Sequence, residues 1–200
     1  MEYLALGDSY TIGESVELKD SWPHQLVSYL NKNGYSFKEP NIIATTGWTT
    51  DELVVEIVKR SVFKKYDLVS LLIGVNNQYR GYSKKQYEQE FEYLVQRALL
   101  FADNDPEKVF IVAIPDYGVT PFGQQSNPDK IDRELIWYNN KAKEIADQYE
   151  VLFVDIFEVS KQALEDPLLT AEDNLHPSPQ MYTLWVEEII DHLKELKLDK

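Results

Sequence analysis

Ser9, Asp173 and His176 are the residues whose types could do chemistry together. A serine hydroxyl is a weak nucleophile until a base takes its proton. The chain has three histidines and no cysteine, so the candidate base near neutral pH is a histidine. His24 falls in a predicted first helix and His192 in the last, and each reads as a packing or surface residue. His176 sits in the polar stretch Asp173-Asn174-Leu175-His176-Pro177, where the following proline disfavours helical angles. An aspartate three residues before a histidine can reach the ring Nδ1–H across a turn, which fixes the tautomer and leaves Nε2 free to face a hydroxyl. The same spacing also suits a plain Asx-type turn with an exposed histidine. Acyl transfer needs donors aimed at the developing oxyanion. The Ser9 backbone N–H, the Gly47 N–H and the Asn76 side-chain amide are the candidates. A turn glycine and an asparagine capping a strand end are the structural alternatives for the last two.

The elements that must position these residues follow from hydrophobic patterning. Tyr3–Leu6 is a short apolar run ending in Gly7, whose backbone freedom suits a sharp exit that presents Ser9 just past a strand. A loop is expected over Gly7–Asp20, then a helix starting at Ser21-Trp22-Pro23, with Leu26, Tyr29 and Leu30 on its apolar face and Gly34 at its stop. Asn41–Ala44 reads as a second strand, exiting through Thr45-Thr46-Gly47-Trp48. Thr49 and Glu52 form a capping-box signature ahead of Leu53, Val54, Ile57 and Val58. Leu68–Ile73 is apolar almost throughout, as a central parallel strand should be, and exits at Gly74-Val75-Asn76-Asn77. Ser83 and Gln86 cap a helix carrying Tyr87, Phe91, Leu94, Val95, Ala98 and Leu99. Val109–Ile114 is a fourth strand, and Pro115–Pro128 is the longest candidate loop. A long helix follows Asn127-Pro128, a fifth strand covers Val151–Asp155, and a short helix is expected over Val159–Leu164. The last helix starts at Ser178-Pro179 and buries Tyr182, Trp185, Ile189, Leu193 and Leu196.

Strand and helix alternate, with crossovers long enough for parallel pairing. The expected fold is a three-layer α/β/α sandwich of about five parallel strands in one domain over residues 1–200. In such sheets ligands bind at the carboxyl ends of strands. Ser9, Gly47 and Asn76 all fall at those ends.

The totals exclude several classes. Twenty Lys and Arg against 34 Asp and Glu leave a net charge of −14, which repels nucleic acid and anionic membrane. A small neutral substrate is unaffected by that charge. No run is long and apolar enough to span a bilayer. The first strand begins almost at once, so no signal peptide is expected and the simplest localisation is cytoplasmic; a trimmed leader would look the same. Gly13 is followed by Glu14 where a phosphate-binding P-loop needs lysine. A flavodoxin-like binding module would share fold and acidity, but leaves Asp173 and His176 unused.

These residues resemble the SGNH hydrolases, also called GDSL esterases and lipases, whose four separated blocks match in order over residues 3–177. Gly7-Asp8-Ser9 matches the first block, Gly47 the second, Gly74-Val75-Asn76-Asn77 the third and Asp173–Pro177 the last. The resemblance implies Ser9 as nucleophile, His176 as base oriented by Asp173, and an oxyanion hole from Ser9, Gly47 and Asn76. It also implies a flavodoxin-like strand order, with no metal or cofactor and no tight nucleophile elbow. The family spans esterases, lysophospholipases, thioesterases and carbohydrate acetylesterases, as well as relatives that could serve only as scaffolds. A small-acyl ester is the favoured substrate here. Two positions depart from the pattern. Tyr10 stands where leucine is usual and is expected to touch no catalytic atom. Asn77 replaces an aspartate whose family role is mainly structural, so altered support of the site is expected rather than lost activity. Tyr10, Trp48, Tyr79 and Phe122 are candidate walls of a compact aromatic pocket, or packing residues.

Overall fold

The computed structural model describes residues 1–60 and 64–193. Five parallel strands form one sheet: β1 (Tyr3–Gly7), β2 (Asn41–Ala44), β3 (Leu68–Leu72), β4 (Val109–Val112) and β5 (Leu152–Val154). Their order is β2-β1-β3-β4-β5, the flavodoxin-like arrangement. Every residue of β1, β3 and β4 is buried, while β2 and β5 at the edges are partly open. Strands covered on both faces read as near-continuous apolar runs, and the polar exception, Ser70 in β3, is hydrogen-bonded to the Tyr3 hydroxyl at 2.8 Å.

The helices are α1 (Ser9–Ile12), α2 (Trp22–Lys32), α3 (Thr50–Arg60), α4 (Val75–Tyr79), α5 (Lys84–Phe101), α6 (Pro128–Gln148), α7 (Phe157–Ser160) and α8 (Pro179–Leu193). α2 packs on α8 over one face of the sheet, and α3, α5 and α6 pack in sequence over the other. Trp22 and Trp185 are the largest fully buried side chains, with Tyr3, Tyr87, Tyr182, Phe91 and Phe110 behind them. The expected caps form. Glu52 reaches back to the Thr49 N–H at 2.9 Å, and the Ser83 and Asn127 side chains accept from the N–H groups of Gln86 and Lys130.

Three expectations differ in detail. The stretch expected as a loop after Gly7 holds α1 and a short 3₁₀ turn at Leu18–Asp20. Tyr29 and Val58 are exposed, because the buried stripes of α2 and α3 are narrower than their apolar spacing suggests. The short helix begins at Phe157, and a 3₁₀ turn continues it through Leu164. Leu196 lies outside the described residues.

Sheet register brings the chemistry together. Gly7 pairs with both Ala44 and Leu72, so β1, β2 and β3 end level. The chain leaves them side by side at Asp8, Thr45 and Ile73.

Candidate active site

Ser9 is the first residue of α1 and is 5% exposed. Asp8 caps that helix, its Oδ1 accepting the Tyr10 N–H at 3.1 Å. Gly7 is required here by space and not by a left-handed backbone: a Cβ would stand 2.1 Å from Thr11 Oγ1 and 2.5 Å from the Leu72 carbonyl. The close approach of α1 to the β1 exit therefore depends on a missing side chain. Asp8 is fully buried, and burial pushes its carboxyl up to about 7.

The β2 exit is tied down on several sides. Thr46 Oγ1 donates to Glu14, Arg80 Nη2 donates to the Gly47 carbonyl at 2.5 Å, and Asn76 Nδ2 donates to the Trp48 carbonyl at 3.0 Å. Gly47 has φ +84, a region that favours glycine. No acceptor for the Gly47 N–H is found among the described residues. Asn76 retains a second amide hydrogen beyond the one given to Trp48. Its helix, α4, starts from Gly74 at φ +131, where a Cβ would meet Tyr87 at 2.7 Å. The neighbouring Asn77 turns away from this exit. Its Oδ1 accepts from the Thr50 N–H at 3.1 Å and its Nδ2 donates to Thr50 Oγ1 at 2.7 Å, joining α4 to α3.

Asp173 and His176 form the arrangement their spacing suggests. His176 Nδ1 lies 2.6 Å from Asp173 Oδ2, and the His176 and Leu175 N–H groups donate to Oδ1 at 2.9 and 3.0 Å. The carboxylate contact places the ring proton on Nδ1 and leaves Nε2 as the free lone pair. Burial raises the Asp173 carboxyl, but hydrogen bonds from Ser15, His176 and Leu175 outweigh it and hold it well below the usual carboxylate range. The base of the loop is closed by an antiparallel bridge between Thr170 and Pro177. The other histidines are elsewhere. His24 Nδ1 meets Ser21 Oγ at 2.8 Å, with burial lowering the ring's pKa, and His192 Nδ1 meets the Glu188 carbonyl at 2.9 Å.

Ser9, Gly47, Asn76 and His176 line one cavity of about 190 Å³. Tyr10, Tyr79 and Phe122 line it too, whereas Trp48 does not; its side chain packs half-buried against the core. The space is smaller than the roughly 300–1,000 Å³ that holds a drug-sized ligand. Tyr79, 61% exposed, stands at 6.3 Å from both Tyr117 and Phe122 in a small aromatic cluster. Tyr117, Val75, Leu175 and Thr46 complete the lining and were not singled out by the sequence. Tyr117 had one available signal, since Pro115-Asp116-Tyr117 follows a fourth strand ending at the same edge. Tyr10 departs from the expectation that it touches no catalytic atom: its ring packs edge-on against that of His176.

Among the described residues, no three His, Asp or Glu side chains gather closely enough to hold a metal ion. No helix among them is long and apolar enough to cross a membrane. Among the described residues, the arrangement offers a hydroxyl bordering the cavity, an imidazole with a free nitrogen and N–H donors without a protein acceptor, around one small space.

The chain resembles several known proteins. A multidomain esterase of Ruminococcus flavefaciens is 28% identical over 82% of this chain, and an acetylxylan esterase of Geobacillus stearothermophilus is 29% identical over 66% of it. The matched stretch covers 22% of the first protein's length and 62% of the second's. A crystal structure of TesA superposes with a TM-score of 0.78 at 20% identity, covering 98% of this chain and 99% of that one. A G-D-S-L lipolytic protein from Veillonella parvula gives 0.74 at 17% identity, covering 98% and 100%. At these identities the structural likeness is one of fold. The model of the GDSL-like lipase/acylhydrolase family matches residues 5–184, and the chain belongs to that family.

Proposed function

We propose that this chain hydrolyses a carboxylic ester with a small acyl group through a covalent acyl-enzyme. The observation that carries the reading is the shared cavity: Ser9, Gly47, Asn76 and His176 border it, with Asp173 bonded to His176 on the side away from the free nitrogen.

His176 Nε2 takes the Ser9 hydroxyl proton as Oγ attacks the ester carbonyl carbon. The carbonyl π electrons move onto oxygen, and the N–H groups of Ser9 and Gly47 and the Asn76 amide stabilise that oxyanion. The intermediate collapses, the carbon–oxygen bond to the alcohol breaks, and His176 returns its proton to the departing alkoxide. Water, deprotonated by the same nitrogen, then attacks the acyl-enzyme and releases the carboxylic acid and free Ser9. Asp173 keeps its negative charge throughout and stabilises the imidazolium. The cavity's size favours acetyl or other short acyl groups. The exposed Tyr79 ring at the mouth suits stacking against an alcohol portion such as a sugar, in keeping with the acetylxylan esterase relative. Lysophospholipase and thioesterase activities use the same acyl-enzyme chemistry and differ in leaving group. A flavodoxin-like binding module or a non-catalytic scaffold would need none of these groups. No cofactor is required, and the substrate is a small molecule free of nucleic acid or membrane.

Hydrolysis of p-nitrophenyl acetate, butyrate and octanoate by wild type and Ser9→Ala tests the reading. Turnover that favours the short esters and vanishes in the variant is the expected result. Equal, slow rates for both proteins would reject Ser9 as nucleophile and favour the binding or scaffold readings.

A further inference from the structure

Two consecutive residues just beyond the nucleophile helix reach sideways to the two loops that flank it. Glu14 accepts from Thr46, the residue before Gly47. Ser15 Oγ donates to Asp173 Oδ2 at 2.6 Å, across 158 positions of sequence. No family block contains either residue.

The Ser15 bond completes a carboxylate. Asp173 Oδ1 accepts the Leu175 and His176 N–H groups, and Oδ2 accepts His176 Nδ1 and Ser15 Oγ. A carboxylate has about four lone-pair directions, and all are used. Three of the donors belong to the same short loop as Asp173. Among the described residues, Ser15 is the one donor from a different part of the fold. It therefore ties the carboxylate to something the loop does not control.

That something is the nucleophile. The Gly13 and Glu14 N–H groups both donate to the Ser9 carbonyl, at 3.2 and 3.1 Å. Gly13 closes α1 at φ +78, where a Cβ would lie 2.5 Å from Ser21 Cβ. Ser15 itself has φ +66, a conformation uncommon outside glycine. Such backbone strain persists only where the surroundings over-determine it, and it gathers at functional sites. The short, constrained path from Ser9 to Ser15 acts as a spacer of set length between the nucleophile and the acid.

We propose that Ser15 is a positioning residue for the ester hydrolysis proposed above, on which this inference rests. Its hydroxyl sets the rotation of the Asp173 carboxylate and, through it, the plane of the His176 ring relative to Ser9. Ser15 touches no reacting atom. Glu14 holds the Gly47 loop in the same way from the adjacent position.

Ser15→Gly is the main test, because it removes the hydroxyl and relieves the backbone, so folding is not burdened; Ser15→Ala is its companion. Both are expected to lower kcat on p-nitrophenyl acetate about three- to tenfold, the worth of one hydrogen bond, with KM unchanged. In an Asp173→Ala background the same substitutions should cost nothing further, since residues acting in one network are not additive. Independently of activity, the downfield proton resonance of His176 Nδ1–H is expected to move in Ser15→Gly. An unchanged kcat with an unmoved resonance would overturn the proposal. So would equal losses in both backgrounds, because Ser15 would then act without Asp173. A wild type with no esterase activity whose resonance still moves would reject the hydrolase reading and leave the Ser15–Asp173 link standing.

Discussion

Tyr10 lies edge-on to His176, with ring centroids 5.7 Å apart and planes at 63°. The same tyrosine stacks edge-on against Trp185 at 6.0 Å, and its carbonyl accepts from the Tyr182 hydroxyl. It borders the 190 Å³ cavity and also a smaller space of about 20 Å³, and Tyr117, Leu175 and His176 border both as well. Replacing it with the leucine usual at this position should therefore do two things. Tyr10→Leu is expected to cost about 2 kcal/mol of stability through lost packing. It should also raise the octanoate-to-acetate ratio of kcat/KM on the order of tenfold, as the two spaces merge. An unchanged chain-length profile would show that Tyr10 does not bound the acyl group.

Asn76 has one amide hydrogen committed to the Trp48 carbonyl and one available to the cavity. Asn76→Ala is expected to lower kcat about a hundredfold while leaving the unfolding midpoint within a few degrees of wild type. Steady-state kinetics alongside a thermal melt check this. A kcat equal to wild type would remove Asn76 from the oxyanion hole.

Asn77 explains its own departure from the family aspartate. The Thr50 hydroxyl has one proton and gives it to Glu90 Oε2 at 2.5 Å. Thr50 Oγ1 can then only accept from position 77, and an amide supplies the donor that a carboxylate lacks. Asn77→Asp is expected to destabilise the fold by about 1–3 kcal/mol at pH 8, through an unsatisfied buried group. Adding Glu90→Gln, which no longer demands the Thr50 proton, should recover much of that loss. Urea unfolding of the single and double variants measures both effects. A double variant no better than Asn77→Asp would refute the proton-sharing account.

Asp8 makes stability fall as pH rises. Its carboxyl is fully buried, Oδ2 has no partner among the described residues, and burial lifts its pKa to about 7. A carboxyl with a higher pKa folded than unfolded holds its proton more tightly in the folded state. Its contribution is complete below the unfolded value of about 3.9 and is lost as pH climbs through about 7. Asp8→Asn should come close to wild type near pH 4 and exceed it at pH 8, with a ceiling of about 4 kcal/mol. Denaturant unfolding at the two pH values checks the sign. A constant difference between the proteins would mean that Asp8 does not titrate across this range.

The strands were legible because three of them are buried on both faces, and such strands show as near-continuous apolar runs like Val109–Val112. The exits were legible too, since glycine, asparagine and serine at the ends of apolar runs carry their meaning locally. The Asp173–His176 pair is equally local, three positions on one turn. What stayed hidden depends on contacts across the chain. Nothing in the spacing of Ser15 indicates Asp173, and nothing in Tyr10 indicates the His176 ring. Trp48 and Tyr79 are both aromatic and each lies close to a strand exit, yet only Tyr79 borders the cavity. Gly7 is needed for the space beside Thr11 and Leu72 and not for backbone freedom, a contact that its place after an apolar run does not reveal.

The site's parts lie far apart in sequence, Ser9 in the first turn of α1 and His176 in the loop closed by the Thr170–Pro177 bridge. Synthesis runs from the N-terminus at roughly 5–20 residues per second, so the serine emerges long before its base. Under the proposed mechanism the nascent chain carries an unactivated hydroxyl while the four strands between Ser9 and His176, β2 to β5, are completed. Activity then switches on when the sheet is already complete, with the arrival of one short segment.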